Sequence, residues 1–362
     1  MKHSLFTCSA LAAAALLCLA GGAQAQSSVT IYGALGLDVL SASKVYNPAL
    51  GTTKSLAKIE DNAIVNSRIG IKGVEDLGGG LKAVFDLEST VLPDTGRAGN
   101  SSAFWNRGAY VGLAGDFGSI KLGHQWNVAD DYMGNYFVFG YYSPFLMSGF
   151  FALSDYYDNA IKYNSPNWGG FEGGLYYSAG EKTTGRSAGQ KIQGAATYTV
   201  GMFSIGLTAF SEKDPFDQFK GNTLYAGGLS YDFGVLKTRL GVAASEVNYV
   251  VIPVTSTTQT STGTGAFKAK LFDVGVDVPI GTAAAVSVDY VKKDVDNSPD
   301  GTGFTRVRAS YALSKRTSLN ANLIFSRNMG GANFAFVTEG NGFAGLPGQK
   351  QTLVTAGITH SF

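Results

Sequence analysis

The chain has 362 residues, of which only 15 % are charged, while glycine reaches 48 and aromatic side chains 12 %; that balance excludes a disordered segment or a coiled coil. The formal net charge is +1, and Lys2 at the extreme start accounts for it. Past that point no global field exists to draw in polyanions, so nucleic acid is set aside as a partner.

Residues 1–25 open with Lys2 and His3, continue in an apolar run over residues 11–20, and end on Ala23, Gln24 and Ala25. A basic start, a short apolar core and a small-residue site are the marks of an export leader, with cleavage expected before Gln26. Both cysteines, Cys8 and Cys18, fall inside it. The exported chain is therefore expected to have no disulfide, no thiol nucleophile and no thiolate metal site.

From residue 29 onward, runs of roughly ten residues carry apolar side chains at every second position and end on Gly, Asp, Asn or Ser, which is strand periodicity. Val29, Ile31, Leu35, Leu37 and Val39 share one face, with Thr30, Tyr32 and Asp38 on the other. Leu81, Ala83, Phe85 and Leu87 oppose Lys82, Asp86 and Glu88. The same split separates Phe272, Val274, Val276 and Val278 from Asp273 and Asp277, and Val307, Ala309, Tyr311 and Leu313 from Arg306, Arg308 and Ser310.

Alternation alone fits a soluble sheet as well as a membrane barrel, so the connections must decide. Short links at 76–80, 115–118, 168–169, 201, 233–234 and 313–315 alternate with long ones at 44–63, 128–157, 248–266 and 329–349. Turns on one rim and loops on the other belong to a transmembrane barrel, and sixteen strands fit between Val29 and Phe362. Closure has a physical cause: hydrocarbon offers no hydrogen-bond partners, so an open edge would strand a row of N–H and C=O groups. A barrel this wide cannot be filled by its own side chains, and a polar inner face then lines water. The expected fold is all-β, a 16-stranded antiparallel barrel over residues 26–362.

Residues 132–151 are uncharged and aromatic-rich, but Gly134, Gly140, Pro144 and Gly149 punctuate them. They read as a loop that folds inside the barrel, where it avoids both water and lipid and narrows the pore. Parity places Arg68, Lys72, Lys82, Lys121, Arg306 and Arg308 on the lumen side, since a cation facing lipid at mid-depth costs about 2–4 kcal/mol. Arg107 shares parity with Ala109, Val111 and Leu113, so only its charge argues for the lumen. Asp130 and Asp131 at the start of the long loop, and Asp155 and Asp158 at its end, are the acidic candidates. His124 and His360 have no local partner pattern for a nucleophile or a metal, and Gly78, Gly79 and Gly80 form a turn without the helix and Lys of a phosphate loop. No cofactor and no metal is expected.

Ser28-Val29-Thr30-Ile31-Tyr32-Gly33, Ser67-Arg68-Ile69-Gly70-Ile71-Lys72-Gly73, Glu75-Asp76-Leu77-Gly78-Gly79-Gly80-Leu81-Lys82, Asn106-Arg107-Gly108-Ala109-Tyr110-Val111-Gly112-Leu113 and Phe117-Gly118-Ser119-Ile120-Lys121-Leu122-Gly123 occur in this order, and the chain ends on Phe362. In that series it resembles the Gram-negative general-diffusion porins of beta-proteobacterial type. The resemblance implies a homotrimer in the outer membrane, with lipopolysaccharide around it and no catalysis. It also implies a third loop forming an eyelet over residues 128–157. Arg68, Lys72 and Arg107 would be the wall cations and Asp130 and Asp131 the opposing acids. Phe362 would be the signal that the barrel assembly machinery reads on the last strand. The chain departs from the family pattern at His124 and near Tyr156 and Tyr157, where many relatives carry Arg. Its third loop is also rich in aromatics and poor in acids. Weak selectivity tilted toward anions, and tolerance of ring-bearing solutes, are the expectations. A substrate-specific channel with an aromatic constriction is the first rival reading. The second is an outer-membrane hydrolase on a barrel, for which His124 would have to be the base.

Overall fold

The structure, a computed structural model, describes residues 27–62, 65–137, 156–183, 185–253, 259–263, 266–332, 335–338 and 341–362. Sixteen antiparallel strands form one closed sheet. They are β1 (Ser28–Asn47), β2 in two pieces (Thr52–Asp61 and Arg68–Gly78), β3 (Leu81–Leu92), β4 (Gly108–Gly115), β5 (Gly118–Trp126), β6 (Tyr156–Asn164), β7 (Phe171–Ser178) and β8 (Lys191–Val200). The other half comprises β9 (Phe203–Glu212), β10 (Asn222–Asp232), β11 (Lys237–Val247), β12 (Phe267–Ile280), β13 (Ala284–Val295), β14 (Gly301–Ala312), β15 (Thr317–Met329) and β16 (Lys350–Ser361). β16 pairs with β15 on one side and with β1 on the other, from Ala34 opposite Ser361 to Ala42 opposite Leu353. That seam removes the edge. Among the described residues no helix is long and apolar enough to cross a membrane; strands do the crossing.

The predicted alternation is the observed one. Val29, Ile31, Leu35 and Val39 face outward and are exposed, whereas Ala34, Asp38, Leu40 and Ala42 between them are buried. On β12 Phe272 and Val274 are exposed and Asp273 is buried. Outward-facing aromatics gather at the short-turn rim: Phe117, Trp168, Phe171, Tyr198, Phe203, Tyr231, Phe233, Tyr311 and Phe362. Amphipathic rings at this level mark one membrane–water interface.

The link expected at 44–63 differs. β1 and β2 continue as a paired hairpin to Asn47 opposite Thr52, so the loop there is only its tip. Strand-strand hydrogen bonds satisfy this segment where open loop was expected. The irregularity instead lies inside β2. Leu37 pairs with Asp61 and Ala34 with Arg68, so six residues of β2 stand against two of β1, four more than a regular ladder holds. Asn62 and Ser67, at the two ends of this insertion, turn to the lumen side. Asn62 Nδ2 donates to Asp38 Oδ1 (2.6 Å) and reaches Asn320 Oδ1 on β15 (3.4 Å), while Ser67 Oγ donates to Asp61 Oδ1 (2.5 Å). Gly36 has no Cβ, and one there would lie 2.5 Å from Asn62 Cβ. The inward turn of Asn62 is therefore built on a small residue.

After β5 the chain turns into the barrel. Asn127 caps helix α1 (Val128–Tyr132), accepting from the Asp130 amide. Gln193 Oε1 on β8 accepts from the amides of Val128 (2.9 Å) and Ala129 (3.2 Å), and the Tyr132 hydroxyl donates to the Gly173 carbonyl (2.8 Å). Tyr136 hydrogen-bonds Ser204 (2.6 Å) and lies on Gly206 and Gly228; Phe137 lies on Gly241. Glycine is required at Gly228, because a Cβ would collide with Tyr136. The first ten residues of the third loop are thus fastened flat on the β7–β11 wall, as expected of an inserted loop. The aromatic stretch at 138–155, with Asp155, lies outside the described residues, as does the leader.

Candidate pore constriction

The first ten residues of the third loop cover the β7–β11 wall, and the remaining wall is β12–β16 and β1–β5. On the β1–β5 side a carboxylate organises the cations. Glu88 of β3 is buried and accepts from Arg107 Nε (2.6 Å) and Arg68 Nε (3.2 Å). The Tyr32 hydroxyl donates to Asp86 (2.8 Å) and Glu88 (3.0 Å), and Lys72 Nζ stands 4.8 Å above the Tyr32 ring. Four elements therefore contribute to one patch: β1, β2, β3 and the residue before β4. Two guanidinium groups share the Glu88 carboxylate, and the Lys72 ammonium stands beside them. Arg68 is partly open to the lumen, whereas Arg107 is 4 % exposed.

Arg107 owes its orientation to position rather than parity. It precedes β4, and Arg107 and Gly108 are both buried, so the two-residue alternation has not yet begun. Its guanidinium lies over the Trp126 ring (5.1 Å) and the Tyr156 ring (5.6 Å), contacts that attract a cation to the ring faces. His124 stacks on Tyr156 with centroids 5.7 Å apart. Both His124 nitrogens are engaged, Nδ1 by Asp158 (2.7 Å) and Nε2 by the Asn106 carbonyl (2.9 Å). Neither nitrogen is open to activate a nucleophile.

Below this level Lys121 stands 5.2 Å from the Tyr110 ring, and Lys82 is exposed near the short-turn rim. Asp131 bonds Lys162 Nζ (2.9 Å) and Asn164 (2.8 Å). Asp130 stays at the helix start, where the Asn127 amide reaches it (3.2 Å). The two loop acids thus address β6 and the helix cap, not the Arg68 and Arg107 patch. Acids at a helix start are favoured by its exposed amides, which is why they sit here. Glu88, which meets both arginines, and Asp86, which accepts from Tyr32, are on the wall itself. Their signal in the sequence was their place on the polar face of β3.

Across the lumen, Arg306 and Arg308 on β14 belong to a second cluster. Arg306 is 3 % exposed and grips Asp289 through Nε (3.0 Å) and Nη2 (2.9 Å). Arg239 of β11 bridges Asp277 and Asp289. Arg308 is more open and reaches Ser287 Oγ (3.2 Å). Three guanidinium groups face three carboxylates here, since Asp273, buried on the same side of β12, also acts on Arg239. Among the described residues no group of His, Cys, Asp and Glu could hold a metal.

A closed barrel with charged inner walls and an inserted loop matches one family model, described as Gram-negative porin, over residues 10–331. The chain belongs to the Gram-negative porin family. It is 30 % identical to outer membrane porin protein 32 of Delftia acidovorans over the whole of both chains. An outer membrane porin protein of Bordetella pertussis is 30 % identical over 97 % of this chain and 99 % of its own. In structure the porin is similar to the anion-selective porin of Comamonas acidovorans, with a TM-score of 0.76, 28 % identity and coverage of 93 % of this chain and all of that one. This porin is an outer-membrane channel for small hydrophilic solutes.

Proposed function

We propose that the channel is weakly anion-selective, and that Arg68, Lys72 and Arg107 set that preference at the constriction. The observation that carries this reading is the gathering of three cations, Arg68, Lys72 and Arg107, around Tyr32 and Glu88 on one face of the wall. Lys82 and Lys121 extend the cationic lining below, and Arg306 and Arg308 line the pore across the lumen. Asp130 and Asp131 hold the loop in place and temper the field; they do not oppose the arginines directly. Solutes move down their gradients, selected by diameter and fixed charge, with no covalent step. The engaged nitrogens of His124 speak against a hydrolase.

Three copies are expected to assemble through the outward aliphatic face of β1, β2, β4 and β5, which carries Val39, Ile59, Val111 and Leu122 in the open. The leader, the lipopolysaccharide contact and recognition of Phe362 by the assembly machinery complete this reading. Reconstitution in a planar bilayer across a KCl gradient tests it. A reversal potential on the chloride side is expected, and one at zero or on the potassium side would overturn the selectivity. A second reading, preference for ring-bearing anions, rests on the Trp126 and Tyr156 faces beside Arg107. It requires benzoate flux to saturate while acetate flux stays linear.

A further inference from the structure

On the outer wall at the long-loop rim, a charged row stands outside the pore. Lys292 of β13 pairs across the ladder with Gly303 of β14, Gly303 with Arg327 of β15, and Arg327 with Lys350 of β16. The neighbours Ser326, Asn328 and Gln351 are buried toward the lumen, so Arg327 and Lys350 point outward, and both are exposed. Arg327 directly faces Lys350, an arrangement in which like charges repel. Neither has an acidic partner among the described residues, whereas Lys292 is paired with Asp294 (2.7 Å). The row therefore carries two uncompensated positive charges.

Its second position is a dip. Nothing lies within 4 Å of where a Cβ on Gly303 would stand, and the row borders a hollow of about 340 Å³. The next row toward mid-membrane contains Tyr290 and Phe325, both exposed, and below them Val307, Leu323 and Val354 continue the apolar belt. Cations thus sit one row above the apolar boundary. A free anion would use the charges and leave the aromatic floor without purpose; an amphiphile with an anionic head and apolar tail uses both. Arg327 offers a planar fork suited to phosphate oxygens, and the two flanking lysines are point charges within a few strand spacings. In the leaflet at this rim, the abundant lipid with phosphates at the top of its acyl chains is lipopolysaccharide.

We propose that Lys292, Arg327 and Lys350 form a headgroup site for a phosphate of lipopolysaccharide, with Gly303 as its floor and Tyr290 and Phe325 under the sugar–acyl junction. The proposal rests on lipopolysaccharide being a partner of the porin and is independent of the lumen. Its test is native mass spectrometry of the detergent-purified porin titrated with diphosphoryl lipid A, its dephosphorylated form, and phosphatidylglycerol. Wild-type protein is expected to prefer diphosphoryl lipid A. The double variant Arg327→Gln with Lys350→Gln should bind it about tenfold more weakly, with conductance and reversal potential unchanged. The charge-preserving exchange R327K with K350R should keep most of the binding and guards against a folding artefact. Equal binding by the glutamine variant removes this site while leaving lipopolysaccharide as a partner. Absence of lipid A binding by the wild type removes both. Phosphatidylglycerol binding as tightly as lipid A, or displacement of lipid A by millimolar inorganic phosphate, would overturn the assignment to this glycolipid.

Discussion

Glu88 is the residue on which the charge of the constriction turns. It lies between Arg68 and Arg107 and also accepts from Tyr32, so two guanidinium groups share this one carboxylate. Replacing it by Gln keeps the shape and an acceptor oxygen but deletes the charge. The Glu88→Gln channel is expected to show a chloride-to-potassium permeability ratio raised by roughly twofold or more, because a fixed charge in a low-dielectric cleft acts strongly on passing ions. Arg107→Ala should move the ratio the other way and also loosen the Trp126–Tyr156 stack. Reversal potentials in a KCl gradient read both; two variants moving in the same direction would refute the assignment. Breaking a buried ion pair costs about 3–5 kcal/mol, so both proteins should also unfold at lower temperature in detergent.

At the scale of elements, the third loop is held by side chains that glycines admit. Tyr136 packs over Gly206 and Gly228, and Phe137 over Gly241, on three consecutive strands. Gly228→Leu is expected to lift the loop from the wall without opening the sheet. Single-channel recordings should then show larger or fluctuating conductance, while heat-resistance on a semi-native gel persists; an unchanged conductance level would mean that the loop is anchored elsewhere. The opposite wall is held by charge. Asp289→Asn leaves Arg239 and Arg306 short of a partner and is expected to destabilise the barrel by about 3–5 kcal/mol, measurable by urea unfolding in detergent. Strands and faces were readable beforehand because a two-residue period is set locally, by which side of the chain meets lipid. The inward turn of Asn62 inside β2 was not, since it depends on Asp38 and on Asn320, the latter more than 250 positions away. Likewise the Asp130 and Asp131 carboxylates carried the right charge, but a helix cap and Lys162 decided where they point. Long-range partners, not local pattern, fix such a site.

For the whole molecule, closure at the β1–β16 seam leaves the outside as the surface that must be matched to its surroundings. That surface is not uniform. Strands β7–β11 expose aromatic rings, Tyr177, Tyr198, Tyr225 and Tyr231 among them, whereas β1, β2, β4 and β5 expose a largely aliphatic face with Val39, Ile59, Val111 and Leu122. Rings suit the lipid interface, and a smooth aliphatic face suits close contact with a copy of itself. A charge placed on that face separates the two roles. Val111→Arg sets a guanidinium at an exposed mid-strand position of β4, where exposure to hydrocarbon costs about 2–4 kcal/mol, and in a trimer the cost falls on every protomer. The variant should run as a monomer on a semi-native gel yet conduct with the unit step of a single barrel, because the lumen patch around Glu88 is on the opposite side of the sheet. The same arginine at Tyr225, on the aromatic side, should leave the oligomer intact. Loss of trimer from both substitutions, or from neither, would show that the aliphatic sector is not where the copies meet.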